Sequence, residues 1–174
     1  MSDHADSTRR FAAGSLALAG ALSASGAVAA PMSQTHSFEL QAPCARLMPL
    51  FTAQGERAWA PGWEPEMLSG DTARGSVFRT RTAERETVWA VTDYRPEQGH
   101  VSYARIAQGS NMGLVDVDCR ELPSGGSEVR VTYTLTALTP EGEALVRDFL
   151  EPKRYADFIG EWREAIAAHL KARP

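Results

Sequence analysis

The sequence predicts an α+β domain in which an antiparallel sheet, wet on one face, is covered on the other by a long C-terminal helix. Three observations predict it. Residues 128–138 alternate, with Val129, Val131, Tyr133 and Leu135 on one side and Arg130, Thr132, Thr134 and Thr136 on the other. That is the pattern of a strand with one face in water. Strand-like text fills most of residues 76–138, punctuated by short turn signals. After Thr139 the period changes: Tyr155, Ile159, Trp162, Ile166 and Leu170 recur at helical spacing, which makes an amphipathic helix. So broad an apolar stripe must be buried against another layer, and the one-sided sheet is the natural partner.

The elements follow in order. His36 to Leu40 alternates as a short strand does. Ala42 to Phe51 reads as a short helix, with Pro43 at an early position and Pro49 interrupting it. Thr52 to Trp59 reads as a second, ended by Pro61-Gly62-Trp63. Strand segments are then expected at Ser76–Thr82, Glu86–Tyr94, His100–Gln108, Gly113–Leu122 and Glu128–Leu138. They are rich in Val, Thr, Trp and Tyr. Residues 95–99 and 123–126 carry the turn residues. Thr139 is placed to cap the last helix, with Pro140 at its first position. Pro152 should kink or break that helix, because it lacks a backbone donor and crowds the preceding turn. The expected order is a strand, two short helices, about six antiparallel strands and one long helix.

Composition narrows the function classes. The 174 residues suit one domain. A net charge of −4 argues against a nucleic-acid binder, which needs a basic face. Two cysteines and four scattered histidines argue against a disulfide scaffold or a multi-metal protein. Arg9-Arg10, an uncharged Ala/Gly-rich stretch from Phe11 and the small-x-small triplet Ala27-Val28-Ala29 have the order of a signal peptide over residues 1–29. The paired arginines hint at twin-arginine export. The expected location is therefore periplasmic, and cytoplasmic if translation starts at Met32. The apolar stretch is too short and too rich in Gly and Ser for a stable membrane span.

The segment Leu50-Phe-Thr-Ala-Gln-Gly-Glu-Arg-Ala-Trp-Ala-Pro-Gly-Trp63 resembles text found in small bacterial members of the SRPBCC (START-like, helix-grip) superfamily. Val77-Phe-Arg-Thr80, Thr87-Val-Trp-Ala-Val-Thr92 and Val131-Thr-Tyr-Thr-Leu-Thr-Ala-Leu138 extend the resemblance over most of residues 35–170. It implies a helix-grip fold over residues 33–172. In that fold a seven-stranded antiparallel sheet wraps around a long C-terminal helix, with two short helices between strands 1 and 2. It also implies a deep, mostly apolar cavity. Members bind lipids, sterols or polyketides; some are cyclases or dehydratases, and some act on chaperone ATPases. The fold alone does not choose among these.

Candidate residues follow from chemistry. An apolar or amphipathic guest would be lined by Trp63, Phe78, Trp89, Tyr103, Tyr133, Phe149 and Tyr155. Tyr103 and Tyr133 would be polar handles, Trp63 a gate on its loop, and Arg79 or Arg105 a source of specificity. For an enzyme, the acid–base candidates are Asp93, Tyr103 and Tyr133. In phase with Trp89 and Val91, Asp93 would line the cavity mouth, but a surface or turn-capping role is the favoured reading, and Asp116 and Asp118 should face outward. Glu56 and Arg57 are expected to form a local ion pair or cap. Cys44 is expected to be a small buried thiol rather than a nucleophile, and its pairing with Cys119 is left open. No glycine-rich phosphate loop and no nucleophile elbow is present, and neither a metal nor a cofactor is expected. The expected partner is a hydrophobic small molecule, with the chain a monomer or homodimer. An interaction module is the third possibility; it would need a contiguous apolar patch, against which the Thr-rich outer face of residues 130–136 argues.

Overall fold

Alternating text folds here into seven strands, and the computed structural model describes residues 29–83 and 85–172. The strands are β1 (Met32–Leu40), β2 (Glu66–Ser69), β3 (Val77–Arg81), β4 (Glu86–Arg95), β5 (His100–Ala107), β6 (Asn111–Glu121) and β7 (Ser127–Ala137). They make one antiparallel sheet in the order β1-β7-β6-β5-β4-β3-β2. Successive strands from β2 to β7 are neighbours, and β1 closes the far edge against β7, with Phe38 opposite Val129. The segment between β1 and β2 must therefore cross from one edge of the sheet to the other.

That crossing holds α1 (Cys44–Leu47) and two 3-10 turns, Met48–Phe51 and Gly55–Ala58. The helix expected at 42–51 is thus one α-helical turn followed by one 3-10 turn, and the helix expected at 52–59 is a single 3-10 turn. Pro49 has no N–H to continue the α-helical ladder past Leu47, and the chain tightens instead. Leu47, Met48 and Phe51 are fully buried beneath the sheet. Cys44 and Cys119 form a disulfide that ties the start of α1 to β6, with Cα atoms 5.7 Å apart. Beside it, the Glu121 Oε1 accepts from the Cys44 N–H at 2.8 Å.

The C-terminal segment is two helices, α2 (Pro140–Phe149) and α3 (Pro152–Ala172), because Pro152 breaks the run as its chemistry requires. Thr139 caps α2 by accepting from the Gly142 N–H at 3.0 Å. Glu151 accepts from the Arg154 N–H at 2.8 Å and holds the first turn of α3. Its carboxyl lies below its usual pKa because those backbone N–H groups favour the anion. Gly142 sits on the β5–β6 turn, where a Cβ would come within 1.9 Å of the Ser110 carbonyl. α3 lies along the concave face beside β1 and buries Tyr155, Ile159 and Ile166 completely.

Individual expectations meet three corrections. β2 is a four-residue, largely exposed edge strand with no alternation to announce it. Glu56 and Arg57 are not paired: Arg57 donates to the Pro65 carbonyl at 2.8 Å and approaches Glu64. The outer face is not uniformly polar, since Ile106, Met112 and Leu114 stand exposed on β5 and β6 beside the threonines of β7. The expected leader at residues 1–29 lies almost wholly outside the described residues. Among the described residues, no helix is long and apolar enough to cross a membrane.

Candidate functional site

A helix laid across a curved sheet cannot fill the whole concavity, and a cavity of about 570 Å³ remains between them. That volume falls within the roughly 300–1,000 Å³ of ligand pockets. One wall is aromatic. Phe78 and Trp89 face each other across β3 and β4 and stack with centroids 5.8 Å apart. Trp63 meets both edge-on. Across the cavity, Phe149 of α2 and Phe158 and Trp162 of α3 form the helical wall. Exposed Pro61, Gly62, Leu145 and Arg154 line the mouth. Arg154 there is paired with Asp148.

Most of the expected residues are brought together. Trp63, Phe78, Trp89, Tyr103, Tyr133 and Phe149 all line the cavity. Tyr155 does not: it is fully buried beside the wall and its hydroxyl donates to the Val131 carbonyl at 3.0 Å. Asp93 is elsewhere too. The ladder between β4 and β5 shifts between Val91 and Asp93, so the alternation that put Asp93 on the cavity side is broken there. Its carboxylate pairs with Arg95 at 2.8 Å. Arg79 is spent outside, bidentate on Glu66 at 2.8 and 2.7 Å. Trp63 is pinned rather than loose, its indole N–H donating to the Ala53 carbonyl at 2.8 Å.

The two polar handles differ. The Tyr103 hydroxyl is consumed in a buried bond to the Phe51 carbonyl at 2.6 Å, and burial raises its pKa. The Tyr133 hydroxyl makes no hydrogen bond among the described residues and faces the cavity, and burial likewise raises its pKa. Tyr133 lies close enough to feel both the Glu56 carboxyl and the Arg105 guanidinium.

Glu56 is the group the sequence reading misplaced. The 3-10 turn Gly55–Ala58 starts where the Thr52 carbonyl accepts the Glu56 N–H at 3.0 Å, and the side chain then turns into the cavity. It has no ion pair among the described residues, and desolvation pushes its carboxyl up to about 8. Near neutrality it can therefore hold or release a proton. Arg105 projects from β5 over the Trp89 ring, 5.2 Å from its centroid. Nη1 donates to Asn111 Oδ1 at 2.9 Å, and Asn111 in turn donates to Ser110 Oγ at 2.8 Å. No three His, Cys, Asp or Glu side chains converge to hold a metal among the described residues.

No protein-family model matches the chain, and no curated protein matches its sequence. Solved structures do match its fold. Norcoclaurine synthase from Thalictrum flavum superposes with a TM-score of 0.64 at 11% identity, covering 96% of this chain and 100% of that one. The ginseng major latex-like protein 151 from Panax ginseng gives 0.60 at 12% identity, covering 80% and 97%. The Mll3558 protein from Rhizobium loti gives 0.54 at 21% identity, covering 80% and 99%. Identities this low establish a shared fold and leave the chemistry to the residues of the cavity.

Proposed function

We propose that this chain, which has the helix-grip fold of the SRPBCC superfamily, binds an apolar or amphipathic small molecule between its sheet and its C-terminal helices. The observation that carries this reading is the aromatic-walled cavity itself, open at a rim and furnished with a few polar groups. Removing apolar surface from water supplies the driving force, at roughly 25 cal/mol per Å². The stacked Phe78–Trp89 pair and the Phe149–Phe158 pair give flat, rigid walls that lose little entropy on binding.

The cyclase or dehydratase reading is kept as a second one because of Glu56. A carboxyl with a pKa of about 8, near a free tyrosine hydroxyl in a desolvated pocket, is a serviceable proton acceptor or donor. Residues 1–29 as an export signal go with the Cys44–Cys119 disulfide, since such bonds persist in oxidising compartments.

The test replaces Trp89 and Tyr133 together by Ala and follows uptake of a fluorescent sterol or fatty-acid analogue. Uptake should be abolished in the double variant and retained in the parent. Unchanged uptake rejects the binding reading, and a polyketide-like probe recovered chemically unaltered from the parent counts against the enzymatic one.

A further inference from the structure

The cavity contains a cation without a counter-ion. Arg105 has no carboxylate within 4 Å among the described residues, although the chain pairs Arg57, Arg79, Arg81, Arg95, Arg147 and Arg154. Its Nε is the one buried side-chain polar atom, among the described residues, that lacks a hydrogen-bond partner. Glu56 shares the cavity but forms no ion pair with it. Burying a guanidinium with a single neutral acceptor costs free energy that a cation–π contact offsets only partly. A cation left in this way calls for an anion that arrives with something else.

The geometry also says which nitrogens of the guanidinium lack a partner. Nη1 is taken by Asn111, itself 4% exposed and anchored to Ser110. Among the described residues Nη2 makes no hydrogen bond, and neither does Nε, which is enclosed by its surroundings. The N–H donors that Nη2 keeps free are charged and suit an anionic oxygen such as that of a carboxylate. Trp89 lies beneath the head group and carries the aromatic wall onward to Phe78. Arg85 lines the same part of the cavity and is near enough to press on Arg105 electrostatically, so the local field favours an anion. With the Glu56 carboxyl in the same cavity, the site suits one negative charge better than the two of a phosphate monoester.

We infer that the guest is an amphipathic carboxylic acid, its carboxylate held by the Arg105 guanidinium through Nη2 and its apolar body along Trp89, Phe78 and the α2–α3 wall. This rests on the proposed binding function and specifies its ligand class. Asn111 is a positioning residue that fixes the guanidinium plane.

The experiment compares dodecanoic acid with dodecanamide by calorimetry at pH 7, in the full chain, in Arg105→Met and in Arg105→Lys. The parent should bind the acid at least tenfold more tightly than the amide. Arg105→Met should lose roughly 10- to 100-fold for the acid and stay within about twofold for the amide. If Arg105→Met does not fold, Arg105→Lys decides, because a point charge without the fork should still lose about tenfold for the acid alone. Equal affinities in the parent, or an acid preference that survives both substitutions, would overturn the inference while leaving a binding cavity. Binding of neither probe would bring down the binding function, and the ligand class with it.

Discussion

Among single residues, Glu56 and Tyr103 show how position decides chemistry. Both occur in or against the most distinctive stretch of the sequence, yet Tyr103 is a structural strut and Glu56 a cavity acid. Residue type gave no warning: the Glu56-Arg57 dipeptide reads as a local pair, and only the turn at Gly55–Ala58 separates the two side chains. The cavity-side alternative for Asp93 fails for a comparable reason. Period-two alternation is sound until a register shift interrupts it, and nothing in Val91-Thr92-Asp93 announces that shift. The Glu56 shift has a consequence for stability. Its folded pKa of about 8 lies above the unfolded value near 4.5, so the folded state retains a proton that the unfolded chain has released. Stability linked to this group is fully present below about pH 4.5 and is lost as pH rises towards and through 8. Glu56→Gln should therefore show a flatter fall in denaturant midpoint between pH 5 and 8.5 than the parent. Identical pH profiles in the two proteins would show that this carboxyl titrates normally.

Element by element, the sequence was most legible where period and caps agreed. The alternation of β7 and the Thr139-Pro140 start of α2 both stand in the structure as written. Pro152 divides α2 from α3 for the stereochemical reason that made it conspicuous. Short elements escaped. β2 has four residues, and its ion pairs with β3, Glu66 to Arg79 and Arg81, lie far apart in sequence. The disulfide was equally illegible, since 75 residues separate its cysteines and only the crossing of α1 over β6 brings them together. Closing a loop of that length removes denatured-state entropy worth about 4 kcal/mol in the chain-entropy model. Cys44→Ser with Cys119→Ser should lower the free energy of unfolding by about 2–4 kcal/mol, measured by urea unfolding. A change below about 0.5 kcal/mol would mean that the α1–β6 junction is held by its packing and by the Glu121 bond alone.

For the whole molecule, function follows from incomplete closure. Six strands are built as consecutive neighbours, β1 returns to the far edge, and the intervening crossing brings Phe51, Glu56 and Trp59 under one end of the sheet. α2 and α3, jointed at Pro152, cover the rest without filling it. The aromatic residues were legible as candidates because they are large and in phase with buried neighbours. Whether they would pack solid or line a void was not, since that depends on how far the sheet curves, a property of all its strands together. The structure leaves a void, and all four tryptophans, Trp59, Trp63, Trp89 and Trp162, border it.

Their indole N–H resonances therefore report on the cavity from four sides. Titrating the nitrogen-15-labelled chain with dodecanoic acid should move the Trp63, Trp89 and Trp162 indole signals saturably and together, while amides on the outer face of β5 and β6 stay still. Shifts confined to that outer face around Ile106, Met112 and Leu114, with the indole signals unmoved, would contradict a guest between sheet and helix.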